Sequence, residues 1–295
     1  MEYKLDKSLG DFFPMEEMKN HISFRVGGPA DLFIKPRNEE SLIRLIKEIR
    51  ESSYRYYILG NATNVIFKDE GYRGIVIFLK GALNEIEISG EKLKAACGAS
   101  LKDIAQAAYE NSLTGLEFSH GIPGSLGGAV TMNAGAYDGE MKDVIESVKI
   151  LDKDGNIKEF SRNEMHFAYR GSRVSEEKFL VLSATFSLKR GDRESIKNKM
   201  DDFDTRRKDK QPLNYPSAGS TFKRPEGYFA GKLIDDSGLR GFRHGHAGVS
   251  EKHCGFVINY GDASAKEILE TIAIVQKTVY DKFKVNLERE VKIIE

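Results

Sequence analysis

The stretch GIPGSLGGAVTMNAGAYDG, residues 121–139, does most to decide the fold of this chain. It holds six glycines in 19 residues and no charged side chain before Asp138. Glycine lacks a β-carbon, so several backbone N–H groups can converge on a ligand and the chain can adopt positive φ angles. A set of tight turns between strands is the alternative, but the length and order of the stretch argue against it. We therefore expect a loop that holds an anionic group such as a pyrophosphate.

The stretch carries none of the common nucleotide motifs. Neither G-x-x-x-x-G-K-[ST] nor a G-x-G-x-x-G that leads into a helix is present, which disfavours a P-loop and a dinucleotide Rossmann unit. With 45 basic and 45 acidic residues, the chain has no overall charge that would attract nucleic acid or an anionic membrane. Small ligands are the expected partners.

Composition also bears on location and on cysteine chemistry. The N-terminal segment is charged and resembles no signal peptide, and no run approaches the ~20 apolar residues of a spanning helix. Cys97 and Cys254 are too few and too far apart for a disulfide framework or a four-cysteine zinc site. We expect a cytoplasmic protein without a membrane partner, and a monomer.

Local patterns divide the chain into three predicted parts. In residues 1–80, Asn38 is expected to cap an amphipathic helix, and strands are expected at 56–59 and 74–79. The turn 60–64 follows the first of these strands. Together these elements predict a first small α/β unit, with a turn at the end of a strand.

Residues 81–190 predict a second unit that is rich in strands. Ser100 and Asp103 form a capping-box-like start for a helix. Residues 152–155 are expected to turn a hairpin, and a long strand should close the same sheet. The strands are expected at 92–96, 144–151, 157–160 and 179–188.

Residues 191–295 predict a third part, which begins with the very polar segment 191–210. A helix is expected around 229–236 and a strand at 256–259. Ser264 and Glu267 form a capping pair that opens a long helix. Its buried stripe is expected to be Ile268, Ile272, Val275, Val279 and Phe283.

Four segments together match one known family. They are FRVGGPADLFIKP at 24–36, LGNATNVI at 59–66, the glycine-rich stretch, and PSAGSTFKRP at 216–225. On these segments the chain resembles the UDP-N-acetylenolpyruvoylglucosamine reductases, the MurB-type flavoenzymes of bacterial cell-wall synthesis. The resemblance continues through YR at 169–170, AGKLIDDSGLRG at 230–241, SEKHCGFVIN at 250–259 and LEREVKII at 287–294. No long insertion separates Lys223 from Ala230, which is similar to the family's type II form.

The resemblance implies an α+β fold and a defined activity. An FAD-binding domain of the vanillyl-alcohol-oxidase (PCMH) type, in two α/β subdomains, would precede a C-terminal α+β substrate-binding domain. The implied cofactor is non-covalent FAD, with NADPH as hydride donor. The implied reaction reduces the enolpyruvyl ether of UDP-N-acetylglucosamine enolpyruvate to UDP-N-acetylmuramate. Such an oxidoreductase serves peptidoglycan precursor synthesis, and with it cell wall biogenesis, cell shape and cell division.

By the same resemblance, the FAD pyrophosphate would lie against two backbone turns, residues 60–64 and 121–128. Two positions depart from the family pattern. Ala62 stands where glycine is usual, and its β-carbon either fits an ordinary φ or tightens the approach to phosphate. His120 stands where a small residue is usual, and it could instead correspond to the flavin-linking histidines of related oxidases. The implied cofactor contacts are Arg25, Gly27, Gly28, Gly60, Asn61, Ala62, Thr63, Asn64, Gly121, Ile122, Pro123, Gly124, Gly127, Gly128 and Asn133.

The resemblance also implies three catalytic residues. Ser220 matches the serine that protonates the α-carbon of the enolpyruvyl group, and the nearby Lys223 could ease its proton loss. Arg170 matches an arginine that can grip a carboxylate at two points. Glu290 matches the catalytic glutamate. Glu288 is the alternative, because strand alternation places both glutamates on one face.

Substrate contacts follow from the matched segments. Basic side chains suit the UDP phosphates and the carboxylate, although a lysine in a charged run is usually solvated surface. Buried Asn or His side chains often only satisfy backbone groups. The implied set is Tyr169, Lys210, Lys223, Arg224, Lys232, His253 and Asn259.

Three rival interpretations remain in view. His244, His246, His253 and Cys254 could hold zinc, but they form no compact pair of ligand dyads, so no metal is expected. An oxidase on the same flavin scaffold would return electrons to oxygen. A flavin or UDP-sugar binding module without catalysis is disfavoured by the coexistence of Ser220, Arg170 and Glu290.

Overall fold

A computed structural model of the chain describes residues 3–137 and 139–295. Helices and strands alternate irregularly along it, as in an α+β protein. The α-helices are α1 (Glu39–Glu51), α2 (Leu101–Glu110), α3 (Leu126–Met132), α4 (Met141–Val144), α5 (Arg173–Glu177), α6 (Arg193–Lys210), α7 (Ala230–Asp236) and α8 (Ala265–Phe283). Single 3-10 turns form at Lys7–Leu9, Met18–Asn20, Glu117–Ser119 and Arg162–Met165.

The strands are short and belong to several sheets. Within the described residues, the sheets have the orders β1-β2-β5-β3, β12-β11-β13-β7-β6, β15-β16-β17, β18-β4, β14-β8 and β10-β9. Their bounds are β1 (Gly10–Glu17), β2 (Pro29–Pro36), β3 (Tyr56–Leu59), β4 (Val65–Phe67), β5 (Tyr72–Phe78), β6 (Ile86–Ser89), β7 (Lys92–Ala96), β8 (Leu113–Thr114), β9 (Gly135–Ala136), β10 (Gly139–Glu140), β11 (Ile145–Leu151), β12 (Ile157–Ser161), β13 (Leu180–Ser187), β14 (Lys189–Arg190), β15 (Arg243–His244), β16 (Ala247–Val249), β17 (Val257–Asn259) and β18 (Lys292–Ile294).

The chain divides into two compact units, each assembled from separated stretches of sequence. Unit 1 comprises Met1–Phe13, Phe33–Asn61 and Ile75–Arg207, and unit 2 comprises Pro14–Leu32, Ala62–Gly74 and Lys208–Glu295. The division into 1–80, 81–190 and 191–295 stays a prediction. No helix of the described residues has both the length and the apolar content needed to cross a membrane.

Unit 1 is built on the antiparallel sheet β12-β11-β13-β7-β6 and on the helix α1. The predicted hairpin is confirmed, with Leu151 paired to Ile157 across the turn. The cap of α1 is confirmed as well, because Asn38 Oδ1 accepts the N–H of Ser41 at 2.8 Å. The apolar positions of α1 that repeat at helical spacing are fully buried: Leu42, Leu45, Ile46 and Ile49.

The sequence analysis expected the glycine-rich stretch to be a loop, but the stretch is not a continuous loop. Residues Leu126–Met132 form α3, with Ser125 in the extended N-cap conformation. The reason is an apolar face at helical spacing, since Leu126, Ala129 and Val130 are buried despite the adjacent glycines. The stretch is therefore a turn followed by a short helix.

Unit 2 centres on the long helix α8 and the sheet β15-β16-β17. The predicted capping pair is confirmed: Ser264 Oγ accepts the N–H of Glu267, and the Glu267 carboxylate accepts the N–H of Ser264. Asp69 adds a second cap, because its two carboxylate oxygens accept the N–H groups of Ala265 and Lys266 at 2.8 and 2.9 Å. Of the predicted stripe, Phe283 is only half-buried and the other four members are buried.

Candidate functional site

In unit 1, the turn at Gly60 lies directly against the glycine-rich stretch. Ser125 approaches so closely that a β-carbon on residue 60 would lie 1.9 Å from Ser125 Oγ, so only glycine fits there. Asn61 Nδ2 also donates to Pro123 O at 3.5 Å. The structure thus brings together the two segments that the sequence analysis named as phosphate-facing.

The hydroxyl of Ser125 lies at this contact between the two segments. Ser125 is buried, yet its Oγ has no hydrogen-bond partner among the described residues. Leaving a buried polar group unpaired costs on the order of 1–3 kcal/mol. Beside it, a β-carbon on Gly128 would meet only Ser125 Oγ, at 3.8 Å, so the protein itself does not require glycine at 128. An unpaired donor next to open space fits an anionic ligand such as a pyrophosphate.

Other predicted cofactor glycines are needed by the protein's own packing. A β-carbon on Gly27 would lie 2.7 Å from Phe67 Cβ, and one on Gly28 would lie 2.1 Å from Asp69 O. Gly127 is constrained in the same way, because its β-carbon would lie 3.3 Å from Cys97 O. Close backbone approach explains these three glycines without a ligand, and their contact with a cofactor stays a prediction.

The start of the glycine-rich stretch packs against α6. His120 Nδ1 lies 3.1 Å from Asp204 Oδ2, and a β-carbon on Gly121 would lie 3.3 Å from Arg207 Cδ. Near the other end, Tyr137 stacks on Phe203 with ring centroids 4.4 Å apart. The unusual histidine at 120 therefore faces a carboxylate of its own unit. Ile122 and Gly124 are half-buried in the turn between these contacts, and Pro123 is exposed.

In unit 2, residues 62–64 lie against the segment that bears Glu290. Ala62 has a φ of +52°, so the alternative that its β-carbon fits an ordinary φ is wrong. Asn64 Nδ2 donates to Glu290 O at 3.1 Å, and Asn64 O accepts the N–H of Lys292 at 3.1 Å. Thr63 is half-buried between them. Arg25 is exposed, with a φ of +57°.

Ser220 is placed by the backbone of its neighbour Thr221. The Thr221 N–H donates to Gly255 O at 2.9 Å, and Thr221 O accepts the N–H of Glu290 at 2.9 Å. Thr221 is fully buried, whereas Ser220 is exposed and follows Gly219, which has a φ of +73°. The structure therefore brings Ser220 and Glu290 to neighbouring positions in unit 2, with an accessible hydroxyl on one of them.

The two glutamates that the sequence could not separate have different surroundings. Lys223 Nζ donates to Glu288 Oε1 in an ion pair, and the Glu288 side chain is largely exposed. Glu290 is half-buried beside Thr221 and Asn64. The ion pair gives Glu288 a surface role and occupies Lys223, which was expected to assist Ser220.

Arg170 lies in unit 1, at the tip of a tight turn. Ala168 and Gly171 exchange backbone hydrogen bonds at 3.0 and 3.2 Å, which leaves Tyr169 and Arg170 as the two turn residues. Arg170 has a φ of +56°. Its guanidinium carbon lies 5.3 Å from the Tyr169 ring centroid, and Tyr169 is 55% exposed. Both side chains are accessible to a ligand.

Asn133 and Asn259, which were predicted to contact ligands, form hydrogen bonds within the protein. Asn133 donates from Nδ2 to Glu140 Oε2 and to Ala168 O, and its Oδ1 accepts the N–H of Lys142. Asn259 donates from Nδ2 to Phe24 O, and its Oδ1 accepts two backbone N–H groups. Both side chains are buried and serve backbone groups first.

The other predicted substrate residues lie in unit 2 in varied surroundings. Lys232 pairs with Asp236 along α7 at 2.9 Å. Arg224 stacks on Phe229, with its guanidinium carbon 4.0 Å from the ring centroid. Lys210 is exposed at the end of α6. Ion pairing and stacking leave these cations at the surface, where a phosphate could compete for them.

His253 has a defined protonation state. Its Nδ1 accepts the N–H of Gly255 at 3.1 Å, so the proton of the neutral ring is on Nε2. Burial lowers the pKa of His253, which keeps the ring neutral near pH 7. The side chain is therefore a hydrogen-bond donor through Nε2. It belongs to the loop whose Gly255 carbonyl fixes Thr221.

A cleft of about 570 Å³ opens in unit 2. It combines aromatic and cationic side chains, with Arg243 stacked 3.7 Å from the Tyr260 ring centroid and Tyr215 in edge contact with the same ring. Ile258 lines the cleft and forms a backbone bridge with Ser217. Ser217 lies three residues before Ser220. The lining of the cleft includes Lys208, Gln211, Tyr215, Arg243, Lys252 and Tyr260.

The histidines and cysteines named in the sequence analysis lie in varied surroundings. Across residues 3–137 and 139–295, no three His, Cys, Asp or Glu side chains are grouped to hold a metal ion. His244 Nε2 instead lies 2.8 Å from Glu270 Oε2. Burial raises the pKa of the Cys97 thiol to about 12, so this thiol is unreactive at neutral pH.

The sequence analysis missed two residues of the site. Ser125 could have been found, because a serine directly before an apolar helical pattern is an N-cap signal. Glu140 gave no such signal, since its contact with Asn133 depends on how the stretch folds back on itself.

Two family descriptions match the sequence. The description "UDP-N-acetylenolpyruvoylglucosamine reductase, C-terminal domain" matches residues 211–294. The description "FAD binding domain" matches residues 30–161. These matches confirm the predicted α+β fold, with an FAD-binding part before a C-terminal substrate part.

Relatives of known name match over almost the full chain. The UDP-N-acetylenolpyruvoylglucosamine reductase of Clostridium perfringens (strain SM101 / Type A) is 54% identical over 98% of this chain and 96% of the relative. That of Clostridioides difficile (strain 630) is 53% identical over 95% of this chain and 92% of the relative. The crystal structure of the Thermus caldophilus reductase (MurB) aligns with a TM-score of 0.82 at 33% identity, over 97% of this chain and 99% of that chain.

Proposed function

Because the chain belongs to the family of UDP-N-acetylenolpyruvoylglucosamine reductases, we propose that Ser220, Glu290 and Arg170 are the residues that carry out that reaction. The chain is an FAD-dependent oxidoreductase of peptidoglycan synthesis that reduces the enolpyruvyl ether of a UDP-amino sugar. The observation that carries the proposal is the backbone pairing of Thr221 with Glu290, which places the exposed Ser220 next to the residue that pairs with the half-buried Glu290.

The residues around Ser125 fit the cofactor. Gly60 lets Ser125 approach closely, and Gly128 leaves space beside the buried hydroxyl of Ser125, which has no partner among the described residues; this favours a pyrophosphate of FAD at this position. Bound FAD supplies the two-electron chemistry that links NADPH to the sugar nucleotide. We expect it to be held without a covalent bond, since His120 Nδ1 faces Asp204.

Ser220 acts as the proton donor in this proposal. When hydride is added at the β-carbon of the enolpyruvyl group, the α-carbon gains electron density and takes the hydroxyl proton of Ser220. A serine hydroxyl is a weak acid, so the reaction needs a carbanion-like acceptor that is strongly basic. The exposed position of Ser220 after Gly219 allows the hydroxyl to reach it.

In this proposal, Arg170 binds the substrate carboxylate and Glu290 orients the reacting groups. A guanidinium can donate two parallel hydrogen bonds to the substrate carboxylate and stabilise the enolate as it forms. Glu290 is held through its backbone by Thr221 and by the side chain of Asn64. We infer that Glu290 orients the substrate or a water molecule next to Ser220.

The cleft at Tyr215 and Tyr260 suits the nucleotide end of the substrate. Its aromatic rings can stack on a base, and Lys208, Arg243 and Lys252 can neutralise a diphosphate. Lys210, Arg224 and Lys232 lie in the same unit as further cations. His253, as a neutral donor through Nε2, suits a polar oxygen of the sugar or lactyl ether. NADPH as hydride donor, a monomeric state and a cytoplasmic location complete the proposal.

The test uses the purified chain with its bound flavin under anaerobic conditions. NADPH is expected to bleach the flavin absorbance, and the enolpyruvyl sugar nucleotide is expected to restore it. An oxidase on the same scaffold would recover its colour rapidly in air without the sugar nucleotide. Failure to recover with the sugar nucleotide, together with rapid recovery in air, would refute the proposed function.

A further inference from the structure

The turn that carries Arg170 is tied to the glycine-rich stretch by the side chain of Asn133. Asn133 Nδ2 donates to Ala168 O at 3.2 Å and to Glu140 Oε2 at 2.7 Å. Its Oδ1 accepts the N–H of Lys142 at 3.0 Å. One fully buried amide thus connects the end of α3, the start of α4 and the first residue of the turn.

A second hydrogen bond fastens the other side of the turn. Ser172 Oγ donates to Thr131 O at 3.0 Å, and Ser172 is fully buried. Residues 168 and 172, which flank Tyr169 and Arg170, are therefore both held by the C-terminal end of α3. This restraint matters because Arg170 has a φ of +56°, a conformation that a non-glycine residue keeps only when its surroundings impose it.

Glu140 connects this frame to the charge of Arg170. The Glu140 carboxylate lies 2.8 Å from Lys142 Nζ. The hydrogen bond from Lys142 is the main cause that lowers the pKa of Glu140, with further contributions from the Asn133 hydrogen bond and the positive charge of Arg170. Glu140 is therefore ionised at neutral pH, and the Arg170 guanidinium lies within its electrostatic range.

We propose that Asn133 and Glu140 are positioning residues that fix the Tyr169–Arg170 turn and the direction of its guanidinium, without touching substrate or cofactor. This inference rests on the proposed role of Arg170 as the group that grips the substrate carboxylate. It gives Asn133 a role other than the cofactor contact expected from sequence. It adds Glu140 as a residue of the site.

The experiment compares the two half-reactions of the flavin-loaded protein by stopped-flow absorbance. Glycine tolerates the φ of +44° at position 133, so Asn133→Gly keeps the backbone conformation. It removes the three hydrogen bonds of the Asn133 side chain. Glu140→Gln keeps an acceptor for Asn133 but removes the negative charge that interacts with the positive charge of Arg170. Each variant should slow reoxidation by the enolpyruvyl sugar nucleotide on the order of 10-fold, the scale expected for a misplaced binding group. Bleaching by NADPH and flavin content per protein should change by less than about twofold.

Glu267→Gln is the matched control, because Glu267 also accepts a backbone N–H in a capping box and lies in unit 2. It should leave both half-reactions at the parental rates. In an Arg170→Ala background, Asn133→Gly should slow reoxidation by less than about a further twofold, because the group that it positions is gone.

The outcomes separate the inference from the function on which it rests. If Arg170→Ala itself reoxidises at the parental rate, the proposed role of Arg170 is wrong and the inference falls with it. If Arg170→Ala is slow while Asn133→Gly and Glu140→Gln are not, only the inference is overturned. Loss of flavin, equal slowing of both half-reactions, or full additivity in the Arg170→Ala background would also overturn it, since each indicates a cofactor contact or a general structural role.

Discussion

The Arg170 turn in unit 1 and the Ser220–Glu290 pair in unit 2 are held in different ways. Side-chain hydrogen bonds hold the Arg170 turn. Asn133 Nδ2 donates to Ala168 O, and Ser172 Oγ donates to Thr131 O. Backbone hydrogen bonds of Thr221 with Gly255 and Glu290 hold the segments that bear Ser220 and Glu290, and the side chain of Asn64 adds a hydrogen bond to Glu290 O. A point mutation can remove a side-chain brace, but it leaves a backbone hydrogen bond in place.

This difference predicts where mutations away from the reacting groups will matter. In unit 1, replacing Asn133 or Glu140 should impair catalysis although neither touches the substrate. In unit 2, replacing residues around Ser220 should matter when the side chain itself reacts or binds, or when, as at Asn64, it donates to Glu290 O. The four tests below challenge this distinction, from the largest expected effect to the smallest.

Replacement of Ser220 by alanine should have the largest effect. Reoxidation by the enolpyruvyl sugar nucleotide should slow by at least ~10²-fold, the low end for loss of a positioned acid, whereas bleaching by NADPH should stay near the parental rate. Because the backbone of Thr221 holds the segment, the melting temperature should stay within about 2 °C of the parent. Stopped-flow absorbance and thermal denaturation measure the two quantities.

Two companions to Ser220→Ala make the result interpretable. Ser220→Cys should recover part of the rate, because a thiol can also give up a proton. Ser217→Ala, a control in the same segment, should keep the parental rate, since Ser217 is held through its backbone bridge to Ile258. If Ser220→Ala slows reoxidation by less than ~10-fold, another group or water donates the proton.

The second test compares Glu290→Gln with Glu288→Gln. Glu290→Gln should slow reoxidation by about 10- to 100-fold, because it removes the charge of a half-buried side chain in the segment that pairs with Thr221. Glu288→Gln breaks only an exposed pair with Lys223, which stabilises by at most about 1 kcal/mol, so its rates should stay within about twofold of the parent. A larger effect at 288 than at 290 in stopped-flow traces would show that the assignment of the two glutamates is reversed.

The third test sharpens the description of unit 1 by comparing two adjacent glycines. Gly128→Ala should fit the free protein, because the nearest atom to its β-carbon is Ser125 Oγ at 3.8 Å, and alanine in α3 should stabilise it by about 0.5–1 kcal/mol. It should nevertheless weaken FAD binding about 10-fold, equivalent to about 1.4 kcal/mol, by filling the space beside Ser125. Titration of the apoprotein with FAD and thermal denaturation of the apoprotein measure the two effects.

Gly127→Ala is the matched control for Gly128→Ala. Its β-carbon would press against Cys97 O at 3.3 Å, which offsets the gain of alanine within α3, so the apoprotein should melt at a lower temperature than the Gly128→Ala apoprotein. If Gly128→Ala binds FAD with the parental affinity, the pyrophosphate does not lie beside Ser125.

Much of the fold could be predicted from sequence because local signals determine it. The Asn38 cap, the bounds of β3 and β7 and the capping box of α8 depend on residues within a few positions of one another, and all are confirmed. Helix α3 was missed because its glycines outweighed the spacing of Leu126, Ala129 and Val130. That spacing was visible in the sequence.

The candidate site was only partly predictable, because its contacts join distant positions. The matched motifs named Ser220, Arg170 and Glu290, but they could not show that Asn133 braces residue 168 or that Lys223 is paired with Glu288, 65 positions away. The packing of Gly27 against Phe67 and of Gly127 against Cys97 was hidden for the same reason. A glycine in a motif indicates a close approach, but the sequence does not say whether protein or ligand makes it.

The smallest effect is expected at Ala62, where the backbone that supports unit 2 is itself strained. Ala62 has a φ of +52°, which costs an alanine roughly 1–2 kcal/mol relative to glycine. Glycine would regain that energy but lose about 0.4–1 kcal/mol to the greater freedom of the unfolded chain. Ala62→Gly should therefore stabilise the protein by about 0.5–1 kcal/mol and raise the melting temperature by about 1–4 °C. Ala107→Gly, in α2, is the control and should lower it, since glycine within a helix is unfavourable. A lower melting temperature for Ala62→Gly would show that its buried methyl group stabilises unit 2 more than the strain at position 62 costs.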